Sequence, residues 1–415
     1  MATVHGTEAD DFIHRAGDGL VVPPGYNEIA EATALGDVID GGDGDDIVYG
    51  DDGVDFLAGN GGSDTLFGGG GDDYLYSFSH RYPDASLERF GGELLSGGDG
   101  NDDLFSSGGS ETLDGGDGYD RAEYDSDVGD DIKVNLESGR AVGEVGRGGK
   151  DTLISVESVA VAGHGDAVVI GDAGANALFG DFGDDRLRGQ EGDDTLGGGE
   201  GADLLRGGPG EDWALFGSFG PKVVNLAAGI GQGSDAEGDR YVSIEHVYAG
   251  FSDDRVIGTG GANHILGLNG DDRLTGRHGN DTLEGGDGND HLCGGAGADE
   301  LWGDGPTSSG FFGSSDSFLY RDVSASGVGA GFRDIIRDFD PAEDDRIVLT
   351  EIDADTGTAG DQAFTFIGAA AFSGTAGELR YEGGIVGGDV DGDGAADFEI
   401  ELSGAPVLTA AEFAL

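Results

Sequence analysis

Cysteine, methionine and positive charge are almost missing from this chain. A single cysteine in 415 residues, Cys293, excludes an intramolecular disulfide framework. The eight histidines, His264 and His291 among them, are scattered and form no zinc-ligand spacing with that thiol. No apolar run approaches the ~18 residues that cross a bilayer, so no transmembrane segment is expected. The opening residues MATVHGTEADDF carry neither the basic nor the apolar stretch of a Sec-type signal. Only 21 Lys and Arg stand against 84 Asp and Glu, a formal charge of −63. A surface of that sign repels nucleic-acid backbones and anionic lipid, and neither is an expected partner. Catalytic signatures are missing too. There is no H-E-x-x-H; Gly217-Ser218-Phe219-Gly220 is not a nucleophile elbow, and Gly149-Lys150-Asp151 is not a phosphate loop. No enzymatic activity is expected.

Glycine and acid fill the space. Gly contributes 87 residues, and carboxylates with backbone carbonyls make a hard-oxygen donor set that suits calcium. From Gly41 the chain reads GGDGDDIVY, GDDGVDFLA, GNGGSDTLF, GGGGDDYLY. Gly or a small residue recurs at positions one and four, Asp at six and an apolar residue at eight. The sixth-position residues are Asp46, Asp55, Asp64 and Asp73, with Asp37 ending a degenerate earlier copy and Asp11 in another. Later blocks give Glu93, Asp102, Glu111 and Asp120; then Asn176, Asp185, Asp194, Asp203 and Asp212; then Asp254, Asn263, Asp272, Asp281, Asp290 and Asp299.

A glycine turn followed by a three-residue strand is half of a coil. Two nonapeptides close one turn, so residues 18 apart stack about 4.8 Å from each other. Asp46 should sit over Asp64 and Asp55 over Asp73, while Val48, Leu57, Leu66 and Leu75 turn inward. A cation between stacked turns collects oxygens from both, which predicts about a dozen calcium cages of six to eight ligands. Acids in the middle of a block, Asp194 and Asp281, should serve two cages, and Asp299 one. Without calcium, low hydrophobicity and high charge predict a disordered chain.

These blocks resemble the RTX (repeats-in-toxin) nonapeptide arrays, G-G-x-G-x-D-x-U-x. The resemblance implies an all-β fold of right-handed parallel β-rolls that form on calcium. Asn176, Asn263, Glu93 and Glu111 depart from the motif, as does Ala122 in an apolar slot, and weaker or missing sites are expected there.

Between blocks the texture changes. KVNLESG from Lys133 and DTLISVESV from Asp151 are matched by KVVNLAAG from Lys222 and DRYVSIEHV from Asp239, a second internal repeat. Similar inserts extend the β stack in RTX proteins, so Glu157 and Glu245 are read as structural. The stretch 77–92, with Phe78, His80, Arg81, Tyr82, Arg89 and Phe90, is read as a capping loop, and VVPPGYNEIAEATA from Val21 as a turn and short helix. After Trp302 aromatic and β-branched residues rise; this region resembles the C-terminal domain of serralysin-like exoproteins exported by type I machinery, with Glu412-Phe413-Ala414-Leu415 fitting their uncleaved signal. Asp389, Asp391, Asp393 and Asp397 begin a calcium-loop spacing, but Ile400 stands where the bidentate Glu is needed.

The expected organisation is a degenerate repeat and cap over 1–35, blocks one and two over 36–123, a β insert over 124–165, block three over 166–215, a second insert over 216–252, block four over 253–302 and a C-terminal β domain over 303–415. The expected role is a secreted or cell-surface calcium-binding structural element of a surface layer, matrix, filament or adhesin. Self-association through roll ends and a surface polysaccharide are the partners considered. The alternative is a non-catalytic repeat and export module of a secreted epimerase or peptidase.

Overall fold

Each repeat carries an acid at the end of a glycine turn and an apolar residue two positions later, and that spacing sets the local structure. A three-residue strand with only its middle side chain facing inward reads exposed–buried–exposed along the chain. The strand Arg186–Arg188 has that pattern, and Tyr74–Tyr76 and Arg255–Ile257 differ only in that flanking residues are half-buried. The inward residues Ile39, Val48, Leu57, Leu66, Leu75, Leu95, Leu104 and Leu113 are fully buried. Facing columns of aliphatic side chains, one from each wall, therefore form the core there. The computed structural model describes residues 3–7, 9, 11–15, 20–77, 92–106, 109–126, 131–143, 149–305 and 314–415.

The chain forms two compact units, Met1–Gly210 and Glu211–Leu415. In the first, alternate strands go to alternate walls, as a β-roll requires. One wall runs through Val38–Asp43, Phe56–Gly61, Tyr74–Tyr76, Asp103–Ser106, Arg121–Ser126 and Ser158–Gly163, all parallel. The other runs through Ile47–Asp52, Thr65–Gly70, Leu94–Asp99 and Thr112–Asp117, also parallel. Partners such as Ile47 and Thr65 lie 18 residues apart. Asn27–Ala32 is a strand parallel to Asp11–Arg15, which corrects the short helix expected from that sequence. Backbone pairing along an exposed wall edge outweighs the helix propensity of Glu and Ala there. The stretch 78–91, read as a capping loop, lies outside the described residues.

The second unit repeats the scheme. Its walls run through His264–Asn269, Thr282–Asp287, Glu300–Trp302 and Asp334–Ile336 on one side and Arg273–His278, His291–Ala296, Ser317–Leu319 and Arg346–Val348 on the other. The roll thus continues past Trp302 into the C-terminal region. There it is completed by an antiparallel meander of Glu378–Glu382, Ile385–Asp389 and Phe398–Leu402 and by Phe413–Ala414 against Arg346–Val348. No described helix is long and apolar enough to cross a membrane.

Candidate metal centre: ladders of buried carboxylates

The sixth-position acids are deeply buried. Asp37, Asp46, Asp55, Asp64, Asp73, Asp102, Asp120, Asp185, Asp194, Asp203, Asp212, Asp254, Asp272, Asp281, Asp290 and Asp299 are each 2% exposed or less. They stack along the roll edges. Asp46 N–H donates to Oδ1 of Asp64, and Asp55 N–H to Oδ1 of Asp73, both at 2.8 Å. Asp185–Asp203, Asp272–Asp290 and Asp281–Asp299 repeat the bond at 2.8, 2.7 and 2.9 Å. One oxygen of each acid is therefore used by the coil before it.

In ten of them the second oxygen has no such use. Oδ2 of Asp55, Asp64, Asp73, Asp102, Asp120, Asp185, Asp272, Asp281, Asp290 and Asp299 is buried without a hydrogen-bond partner. A buried, unsatisfied carboxylate oxygen is costly and needs a compensating charge. The surroundings fit a cation. A Cβ placed on Gly50 would stand 2.6 Å from Asp55 Oδ2 and 2.6 Å from the carbonyl oxygen of Gly68, so the missing side chain leaves a cradle lined by oxygen. Carboxylate and carbonyl oxygens from two coils are calcium's donor set.

Burial drives the carboxyls upward. Asp55 and Asp73 are pushed up to about 7, Asp185 and Asp272 to about 8, and Asp290 to about 9. Loss of water is the main cause in each; the N–H bond to Oδ1 opposes it, and neighbouring acids add to it. Only a cation lets these groups stay both ionised and buried at neutral pH.

The departures from the motif have their own partners. Asn176 accepts from Asp172 N–H at 2.8 Å and donates to Glu157 O at 3.2 Å, while Asn263 accepts from Thr259 N–H at 2.8 Å and donates to Glu245 O at 2.6 Å. Glu111 accepts from Ser106 Oγ and Gly109 N–H at 2.9 and 2.8 Å. Glu93 Oε2 is buried and unpartnered, and burial pushes that carboxyl to about 8. Glu157 and Glu245 take over the capping bond, accepting from Asp120 N–H at 2.9 Å and Asp212 N–H at 3.2 Å.

Further acids occupy the same slot and were missed in the sequence. Asp151 caps Glu111 at 2.9 Å, Asp316 caps Asp290 at 2.9 Å, Asp334 caps Asp299 at 2.9 Å, and Asp345 caps Asp316 at 2.9 Å. Asp299 is therefore not a terminal rung, contrary to the reading from spacing. The signal lies in DTLI, DSFL, DIIR and DRIV, an acid two residues before a buried Leu153, Phe318, Ile336 or Ile347; Asp151 also keeps Gly146 and Gly149 at positions one and four, whereas Asp316 and Asp345 lack both glycines. At some rungs the cradle glycine is replaced by an aromatic ring. Tyr124, Phe216 and Tyr320 stand four residues after Asp120, Asp212 and Asp316, where Gly50 follows Asp46, and Tyr124 lies beside Asp151 as Tyr320 lies beside Asp334. Apart from the ladders, Asp389, Asp391 and Asp397 bring carboxylate oxygens within 4.8 Å of one another. Asp389 is already bonded there by the N–H groups of Gly392 and Gly394, at 2.7 and 3.0 Å.

The match to a known repeat family agrees with this geometry. The RTX calcium-binding nonapeptide repeat family matches residues 25–57, 49–77, 90–122, 162–196, 170–205, 189–218, 248–283 and 276–305. Among solved structures, the chain is similar to the AlgE6R3 subunit of the Azotobacter vinelandii mannuronan C5-epimerase, with 28% identity over 40% of this chain and 80% of that one and a TM-score of 0.19. No curated protein matches. The chain carries RTX calcium-binding nonapeptide repeats over these segments.

Proposed function

We propose that this RTX repeat protein is exported, folds outside the cell as calcium fills its ladders, and then acts as a rigid structural or interaction element without catalysis of its own. The observation that supports the reading is the set of buried Oδ2 atoms with no partner. The stacked acids of each edge would hold the ions, with turn carbonyls such as Gly68 O, and Asp316 would extend the set beyond the nonapeptides. Bound calcium supplies the counter-charge, at about a dozen sites. The chain's own groups do the rest. Oδ1 caps fix the register between coils, cradle glycines keep side chains out of the ion path, and the aliphatic columns exclude water. Because each site needs two coils, folding and metal binding are linked and cooperative.

Export is the second half of the proposal. A chain that stays unfolded at low calcium can thread a channel and fold beyond it. Deleting residues from Leu402 onward should trap the protein in the cell while the repeats still gain β signal in calcium. Normal export of the truncated chain would leave the C-terminal strands as a cap on the roll and remove the signal assignment. Electron microscopy of the purified chain in millimolar calcium tests the structural role. Sheets or filaments support it; monomers with epimerase or peptidase activity would favour the enzyme-module alternative.

A further inference from the structure

In the second insert one rung of the ladder is a lysine. Lys222 precedes the strand Val223–Asn225 as the acids precede theirs, and that strand pairs in parallel with Arg255–Ile257. Its N–H donates to Asp254 Oδ1 at 2.9 Å, as Asp55 N–H does to Asp73. Its carbonyl accepts from Arg255 N–H at 2.9 Å, as the Asp55 carbonyl accepts from Tyr74 N–H at 2.8 Å. Lys222 thus stands where Asp55 stands, Asp254 where Asp73 stands, and Ala249 where Gly68 stands, five residues before its acid.

The side chain completes the correspondence. Lys222 is 2% exposed, and Nζ donates to Ala249 O at 2.8 Å and to Asp254 Oδ2 at 3.3 Å. Asp235, on the short turn Ser234–Ala236, brings Oδ1 to 3.7 Å from Nζ. Phe216, in the position of a cradle glycine, covers the ammonium with its ring centroid at 5.9 Å. Two carboxylates and the position-one carbonyl are the oxygens that the repeats offer to an ion.

We propose that Lys222 is a resident substitute for calcium: its ammonium fills a cation position of the ladder and makes the first inter-coil junction of this unit independent of the metal. This deepens the calcium-ladder reading and rests on it. The unit then enters calcium with one junction already formed, from which the neighbouring coils can add without a new nucleation step.

The test uses the full chain and calcium alone. In excess chelator, hydrogen exchange should show protection at Val223–Asn225 and Arg255–Ile257 at least about tenfold above that at Thr282–Asp287, an equilibrium difference of about 1.4 kcal/mol. Lys222→Met should abolish that excess. Lys222→Gly, which leaves the oxygens and removes the ammonium, should bind one more calcium ion per chain than the parent at saturation, counted by equilibrium dialysis with elemental analysis. Circular dichroism in saturating calcium checks that both variants fold. Equal protection across all coils in chelator, or an unchanged ion count in folded Lys222→Gly, would overturn the proposal. Failure of the parent chain to bind any calcium would instead sink the ladder reading itself.

Discussion

The two inserts share a plan and solve the same electrostatic problem in opposite ways. Each opens with a hairpin: Ile132–Asn135 against Arg140–Gly143 in the first, Val223–Asn225 against Ile230–Gln232 in the second. Both hairpins turn through the same contacts. Asn135 and Asn225 side chains accept from Ser138 and Ala228 N–H at 2.6 and 3.0 Å, and Gly139 and Gly229 take φ values of 61° and 66°. At the rung that opens the hairpin, the first insert places Ile132 over Ala167, 3% and 0% exposed. The second places Lys222 over Asp254. One junction removes the charge and the other supplies the cation. On the proposed reading neither junction needs the metal that the repeats take up, and calcium dependence belongs to the rung chemistry and not to the roll as such.

The largest effect should come from unbalancing the ionic junction. Asp254→Ala strands the ammonium and should cost about 3–5 kcal/mol in urea unfolding at saturating calcium. Adding Lys222→Met should recover much of that loss, because removing both charges is far cheaper than removing one. Additive losses would mean that the two side chains do not act as a pair. The reverse exchange addresses the apolar junction. Ile132→Lys alone should cost about 3 kcal/mol by burying an unpaired charge, and Ala167→Asp in the same chain should return part of it.

A third prediction concerns protons. The metal-free ladder carboxyls rise in the fold from 3.8 to about 7 in Asp55, about 8 in Asp272 and about 9 in Asp290. The folded apo chain thus holds more protons than the unfolded one, and its stability falls as pH rises. In chelator, β signal should be strongest below about pH 4 and disappear as pH rises through about 7 to 9. With calcium present the sign reverses, since the ion needs ionised oxygens, and the calcium midpoint should rise on acidification. A calcium-free spectrum that does not change over this range contradicts the assignment.

Smaller effects compare one repeat position in two settings. Gly68→Ala puts a methyl into a cradle and should raise the calcium midpoint several-fold in a dichroism titration. Ala249→Gly, at the equivalent position beneath Lys222, should leave it unchanged. Smallest of all, Arg333 bonds Glu401 and Glu399 at 2.9 and 2.8 Å on the partly exposed face of the meander. Arg333→Ala should cost about 1 kcal/mol, with diminished effect in high salt.

Much of this was legible in the sequence because a nine-residue period constrains backbone and side chain together. Asp46 over Asp64 and the inward columns of Val48 and Leu57 follow from counting. The rungs beyond the repeats were not legible, because the nonapeptide motif joins two separable signals. Glycines mark the turn, and the acid before x-U-x marks the rung; Asp316 and Asp345 keep only the second, Asp334 adds Gly329 alone, and Asp151 keeps both signals in GRGGKDTLI inside an insert of different texture. Lys222 was hidden for a stronger reason. Its identity is opposite in charge to the residue it replaces, and only the strand register with Arg255–Ile257 reveals the slot. The strand Asn27–Ala32 was misread because local propensity cannot report the edge of a wall forming beside it.

The capping bonds all point one way. The N–H of Asp46 reaches forward to Asp64, that of Asp281 to Asp299, and that of Asp299 to Asp334. Every coil is therefore finished by the one that follows it in the chain. Cutting coils from the back leaves the acid amides without their carboxylate acceptors, whereas cutting from the front breaks the reverse bonds, as when Tyr74 N–H loses the carbonyl of Asp55. The two ends of an array therefore expose different groups, ladder carboxylates at the front and the amides of ladder acids at the back. If the later end emerges first from a confining channel, each arriving coil meets its acceptor already in place, and assembly proceeds without waiting.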